Sequence, residues 1–200
     1  ILFVSTASIF IRLAQSEVSS IVIGASRLFV ASLILIPLAL LRFRHELFSL
    51  SRKDLFRAGL SGIFLALHFA SWITSLQYTS VASSVVLVTT TPLWVALLSP
   101  IVLKEPVSKS VLIGLFVSMA GTVIVSLADA CEFANGGMRC NSQLFSENAL
   151  WGNFLALFGA WMAAGYFMIG RHLRKSLTTI PYAALVYGIA AFILVLIVII

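Results

Sequence analysis

Residues 80–106 read SVASSVVLVTTTPLWVALLSPIVLKEP. From Ser80 to Leu103 no residue is charged, and about 20 mostly apolar residues suffice to cross the hydrocarbon core of a bilayer. The middle is unlike a lipid-facing helix, because Thr89, Thr90 and Thr91 run directly into Pro92. Proline lacks a backbone donor and crowds the carbonyl one turn back, so the helix bends or breaks there. Inside a membrane such a break is tolerated only against protein or a wet cavity. The span closes at a charged turn, Lys104, Glu105 and Pro106. The stretch therefore predicts a broken transmembrane helix lining something polar, with the Val88 carbonyl freed to face the same space.

The whole chain follows this pattern. Hydrophobic residues make up 60% and charged residues 10%, where a soluble domain is about a quarter charged. The fold class is therefore an all-α polytopic membrane protein. Apolar runs fall at residues 1–14, 21–41, 55–78, 80–103, 110–128, 149–170 and from 180 onward, about seven transmembrane helices. The first run is the tail of a span and the last is cut off, which reads as a fragment of a longer carrier. The net charge of +6 is no nucleic-acid signal. The loops after the second, fourth and sixth spans hold Arg42, Arg44, Arg52, Lys53, Lys104, Lys109, Arg171, Arg174 and Lys175. The alternate loops hold only Arg139, with Arg12 at an edge. Lys and Arg mark the cytoplasmic side, so the basic loops and the N-terminus are expected there.

Four stretches carry a family resemblance: IFIRLAQ at 9–15, ASRLFVASLILIPL at 25–38, LHFASWITSLQYTSVASSVVLVTTTPLWVALL at 67–98, and KEPVSKSVLIGLFVSMAGTVIV at 104–125. They resemble the EamA-type transporters of the drug/metabolite transporter superfamily. The resemblance implies a ten-helix carrier of two five-helix repeats in inverted topology, with a central cavity and alternating access. On that scheme residues 1–128 are the first repeat, its first helix truncated. Residues 129–148 are an outer loop, and residues 149–200 begin the second repeat with helices six and seven. Arg12 and Arg171, ending the first and sixth spans on opposite sides, agree with an inverted repeat. The expected setting is a bacterial inner (plasma) membrane. The expected partners are the lipid bilayer and a small-molecule substrate, with a coupling proton left open; no cofactor and no metal are expected.

Several residues stand out as candidates for a substrate cavity. Arg27 is a charge deep in a span, where charges are costly and face the interior. It reads either as an anchor for an anionic substrate or as a structural arginine bonded to carbonyls. His68 lies within a span, while His45 and His172 lie in loops. It reads as a proton-coupling group or as a neutral histidine bonded between helices. Trp72 follows four residues on, sharing its face; Ser71 adds a polar stripe beside it. Trp72 lines a cavity or belongs to the interfacial aromatic belt, and Trp94, Trp161 and Tyr166 pose the same choice more weakly. With Thr89, Thr90, Thr91 and Pro92 these residues are expected to converge on one chamber. Glu105, where the family pattern has an acid, is expected to be structural and to pair with a basic loop residue. Gly114, Ser118 and Gly121 form a small-residue face suited to close helix packing. Cys131 and Cys140 share the outer loop, where oxidising conditions permit a disulfide.

Transport fits these features best, specifically a secondary carrier exporting a small polar or amphipathic metabolite. A membrane enzyme would need a catalytic constellation, and no nucleophile elbow, HExxH or paired acids are present. A receptor-like or structural bundle has no use for the Thr-Thr-Thr-Pro break, Arg27 and His68.

Overall fold

The computed structural model describes residues 6–134, 137–140 and 146–199; for 125–130, 132–134 and 137–140 it describes the backbone alone. In chain order the elements are α1 (Ala7–Ala14), α2 (Ser20–Arg42), the short α3 (Arg44–Phe48), α4 (Arg52–Tyr78), α5 (Val81–Val88), α6 (Thr91–Val102), α7 (Lys109–Ala130), β1 (Cys131–Ala134), β2 (Gly137–Cys140), α8 (Glu147–Leu173) and α9 (Thr179–Ile199). Serines open four of the helices, Ser108 capping α7 by accepting from the Val111 amide at 3.3 Å. Ser51, Ser80 and Ser146 accept hydrogen bonds from the amides of Asp54, Ser83 and Ala149, each occupying a donor that a helix N-terminus leaves free.

The polytopic helical architecture holds. α2, α4, α8 and α9 are long and apolar enough to span a bilayer, as is Val81–Val102 counted through α5 and α6. The fourth span is indeed broken: Thr89 and Thr90 form a turn between α5 and α6, and Pro92 takes an early position in α6. There the missing amide costs nothing, because first-turn donors have no intrahelical partner.

Packing is uneven. α8 lies chiefly along α4, while α9 packs on α2 and α4. Small residues recur every fourth position on α8, at Gly152, Ala156, Ala160 and Ala164, and the three alanines are fully buried. Without a water-driven term between spans, close backbone approach is what holds such helices together. Leu28 of α2, Leu65 of α4 and Val186 and Leu194 of α9 fill the adjoining core.

Loops sort onto two faces. Glu46 of α3 accepts from the amide (2.7 Å) and hydroxyl (3.2 Å) of Thr178, and Glu105 pairs with Arg171, so the three basic loops meet at one end. At the other end Arg12 reaches the Thr79 carbonyl and Thr79 reaches Asn153.

Three local expectations change. α7 runs to Ala130 and leads into an antiparallel hairpin, so the segment 129–148 contains strands as well as loop. The Val88 carbonyl is occupied, because Thr91 Oγ1 donates to it at 2.7 Å. A hydroxyl one turn on fills the acceptor that the proline exposes. Gly114 and Gly121 meet no close neighbour among the described residues: a side-chain carbon placed at either would touch none of them within 4 Å.

Candidate functional site

The candidate residues fall into two groups, each bonded to α8. The first lies between α2, α4 and α8. His68 Nδ1 is 2.9 Å from the Gly159 carbonyl oxygen; that oxygen only accepts, so the ring nitrogen carries the proton. The His68 ring stacks on Trp72 at 5.9 Å and 12°, as their four-residue spacing on α4 requires. Arg27 lies over the Phe69 ring, 5.7 Å from its centroid, a cation–π distance. Ser71 spends its hydroxyl on its own helix, donating to the Leu67 carbonyl at 2.7 Å. Trp72 Nε1 is buried and has no hydrogen-bond partner among the described residues.

The second group surrounds the helix break. Thr89, Thr90 and Thr91 each donate to a carbonyl three residues back, at 2.9, 2.6 and 2.7 Å. They seal the end of α5 and leave few hydroxyls for a ligand. Thr91 also lies 3.4 Å from the Ala160 carbonyl and ties the break to α8. Trp94 Nε1 donates to Thr90 Oγ1 at 3.0 Å, and its ring meets Trp161 edge-on at 5.4 Å.

Thr91, Pro92 and Tyr166 line a cavity of about 900 Å³ that extends to the basic end of the bundle. Its inner wall carries the Tyr166 and Tyr182 rings, stacked at 6.1 Å; the Tyr182 hydroxyl lies 3.5 Å from Ser61 Oγ. Val95, Leu115 and Phe167 give it apolar sides, and Glu105, Arg171 and Arg174 stand at its mouth. Lys104 adopts a left-handed conformation (φ 56°) after α6, reversing the chain; Glu105 follows and reaches Arg171.

None of Arg27, His68, Ser71, Trp72, Thr89, Thr90 or Trp94 lines this cavity. Gly159 serves the first group and Ala160 the second. The two groups thus meet α8 at adjacent carbonyls, and Thr91 and Pro92 of the second border the cavity. Arg171, Arg174 and Tyr182 were not singled out from the sequence. The pointer was there: Arg171 and Arg174 are three apart, hence on one helix face, across from the acid at Glu105. Among the described residues no group of three or more His, Cys, Asp or Glu is placed to hold a metal ion.

Residues 1–127 match the EamA-like transporter family. The chain is also 26% identical, over 163 residues, to the protein named "Uncharacterized transporter YetK" of Bacillus subtilis (strain 168). That alignment covers 80% of this chain and 46% of the relative, so the chain spans about half the length of the curated relative it matches. No solved structure matches.

Proposed function

The chain belongs to the EamA-like transporter family, and from that premise we propose that it forms part of a secondary carrier exporting a small polar or amphipathic metabolite by alternating access. The observation that carries the reading is the cavity of about 900 Å³ reaching from the broken fourth span to the basic loops. Ligand sites of roughly 300–1,000 Å³ accommodate small organic molecules, and discontinuous helices line the binding sites of many carriers. The break at Thr89 and Thr90 supplies a hinge for gating.

In this proposal residues 1–128 form a first repeat and residues 149–200 begin an inverted second one, with 129–148 as an outer loop. The basic loops face the cytoplasm of a bacterial plasma membrane; their meeting at one end through Glu46, Glu105 and Arg171 supports a common side. His68, bonded to Gly159, is the proton-coupling candidate within the chain. Facing cysteines at 131 and 140 form the bridge of the outer hairpin.

Two experiments test this reading. Reconstituted full-length protein should move at least one compound of a metabolite panel across sealed vesicles, and failure with every compound refutes the carrier. Ser49→Cys and Ser108→Cys should resist an impermeant thiol reagent applied to intact cells; labelling of either reverses the orientation.

A further inference from the structure

The cavity mouth carries one acid and two bases. Glu105, Arg171 and Arg174 all line it, leaving an excess of one positive charge. Arg171 is paired with Glu105, and their side chains are 59% and 40% exposed. An exposed ion pair contributes little net stability, so replacing one carboxylate by another at Arg171 is close to isoenergetic. Arg174 donates to the neutral Thr179 hydroxyl at 2.9 Å and pairs with no acid among the described residues. Deeper in, the lining turns apolar at Val95, Leu115 and Phe167.

A ligand that satisfies both ends has a carboxylate at the mouth and an apolar body within. We infer that this cavity selects small amphipathic carboxylates, and that the substrate's carboxylate takes the place of Glu105 on Arg171. Glu105 then acts as a stand-in counter-ion that keeps the guanidinium neutralised while the cavity is empty. The planar fork of arginine suits this exchange, because it holds any carboxylate in the same two-pronged geometry. The inference rests on the carrier reading and adds its substrate class.

The test uses full-length protein in vesicles of purely zwitterionic lipid, with 3-phenylpropionate and its uncharged amide as probes, titrated calorimetrically. The acid should bind and the amide should not. Arg171→Ala should weaken binding by up to about fivefold, the upper end for an exposed ion pair. Arg171→Lys, which keeps the charge and loses the fork, should fall between. Glu105→Gln should tighten binding several-fold, because the internal competitor is gone. This opposition of sign separates exchange from a merely structural pair, for which both variants weaken binding. Equal weakening, equal binding of the amide, or no saturable binding of the acid overturns the inference. Binding that appears only once anionic lipid is added assigns the mouth to lipid headgroups and overturns it too. A parallel uptake panel of neutral and cationic compounds keeps the two readings apart. Transport of those compounds without the Arg171–Glu105 opposition removes the anion inference and leaves the carrier standing. Acid binding without transport of any compound removes the carrier.

Discussion

Two helices of this chain carry stripes of small residues, and they behave oppositely. On α8, Gly152, Ala156, Ala160 and Ala164 lie in the seam with α4; a side-chain carbon added at Gly152 would come within 2.8 Å of the Thr79 backbone nitrogen. On α7, the same addition at Gly114 or Gly121 meets none of the described residues within 4 Å. Both stripes satisfy the rule for close helix packing. What separates them is length and polarity of context. The α8 stripe runs three full repeats and is flanked by carbonyls that His68 and Thr91 need, so the seam is fixed by shape and hydrogen bonds together. On the α7 stripe the hydroxyl bond beside Ser118, from Thr122 to the Ser118 carbonyl at 2.8 Å, stays within the helix and sets no register against a neighbour.

Substituting along the two stripes should break the symmetry most visibly. Gly152→Ala forces its carbon against backbone that has no flexible end to move aside, and overpacking of this kind costs about 1–3 kcal/mol. Gly152→Val should abolish a monodisperse detergent-solubilised protein. Gly114→Ala and Gly114→Val should leave the midpoint of thermal unfolding within a degree or two of wild type, on the order of the few tenths of a kcal/mol typical of an unpacked position. Equal losses at Gly152 and Gly114 would show that α7 is as tightly seated as α8.

A smaller effect should separate the two groups of candidate residues. Thr91→Val removes the hydroxyl that caps Val88 and approaches Ala160. At about 1 kcal/mol for the bond the transport rate should fall about fivefold with membrane insertion unchanged. Pro92→Ala, which restores an amide at the break, should act in the same direction. Trp72→Ala removes the stack on His68, worth about 0.5–1.5 kcal/mol. It should lower thermal stability while leaving the substrate KM within twofold. A KM change at Trp72 larger than that at Thr91 would put the site with His68 and Trp72 instead.

The sequence already showed the spans, their alternating loop charge and the break before Pro92, because each depends on local composition or on proline's covalent structure. The cavity was half legible. Composition singles out Thr91, Pro92 and Tyr166, but nothing local separates them from Arg27, His68 and Trp72. The dominant contact joins α4 to α8, far apart in sequence, and that choice depends on which helix faces fit. The threonines show a second limit. A run of threonines predicts a polar lining, yet each hydroxyl turns to its own helix at 2.6–2.9 Å, since in lipid an exposed carbonyl is costlier than a committed hydroxyl. Arg171 and Arg174 were counted as loop charge, and only three dimensions bring Glu105 to meet them.

The smallest effect belongs to the outer hairpin. Cys131 faces Cys140 across β1 and β2 as Cα partners, and facing residues of an antiparallel pair lie about 4.5–5.5 Å apart, within the span a disulfide bridges. The register therefore supports the proposed bridge between the two. The closed loop is short, and the chain-entropy gain grows with loop length, so the bridge orders the hairpin and adds little elsewhere. β1 contacts β2 and the end of α7, and α7 is itself loosely held. Replacing both cysteines by serine should therefore leave transport and the unfolding midpoint of the bundle unchanged, while raising the rate at which protease cuts between residues 131 and 140. Peptide mass spectrometry of non-reduced protein from an oxidising compartment should recover the two cysteines cross-linked. Two free thiols would remove the bridge, and a drop in the unfolding midpoint as large as that of Gly152→Ala would place the hairpin among the elements that hold the helices together.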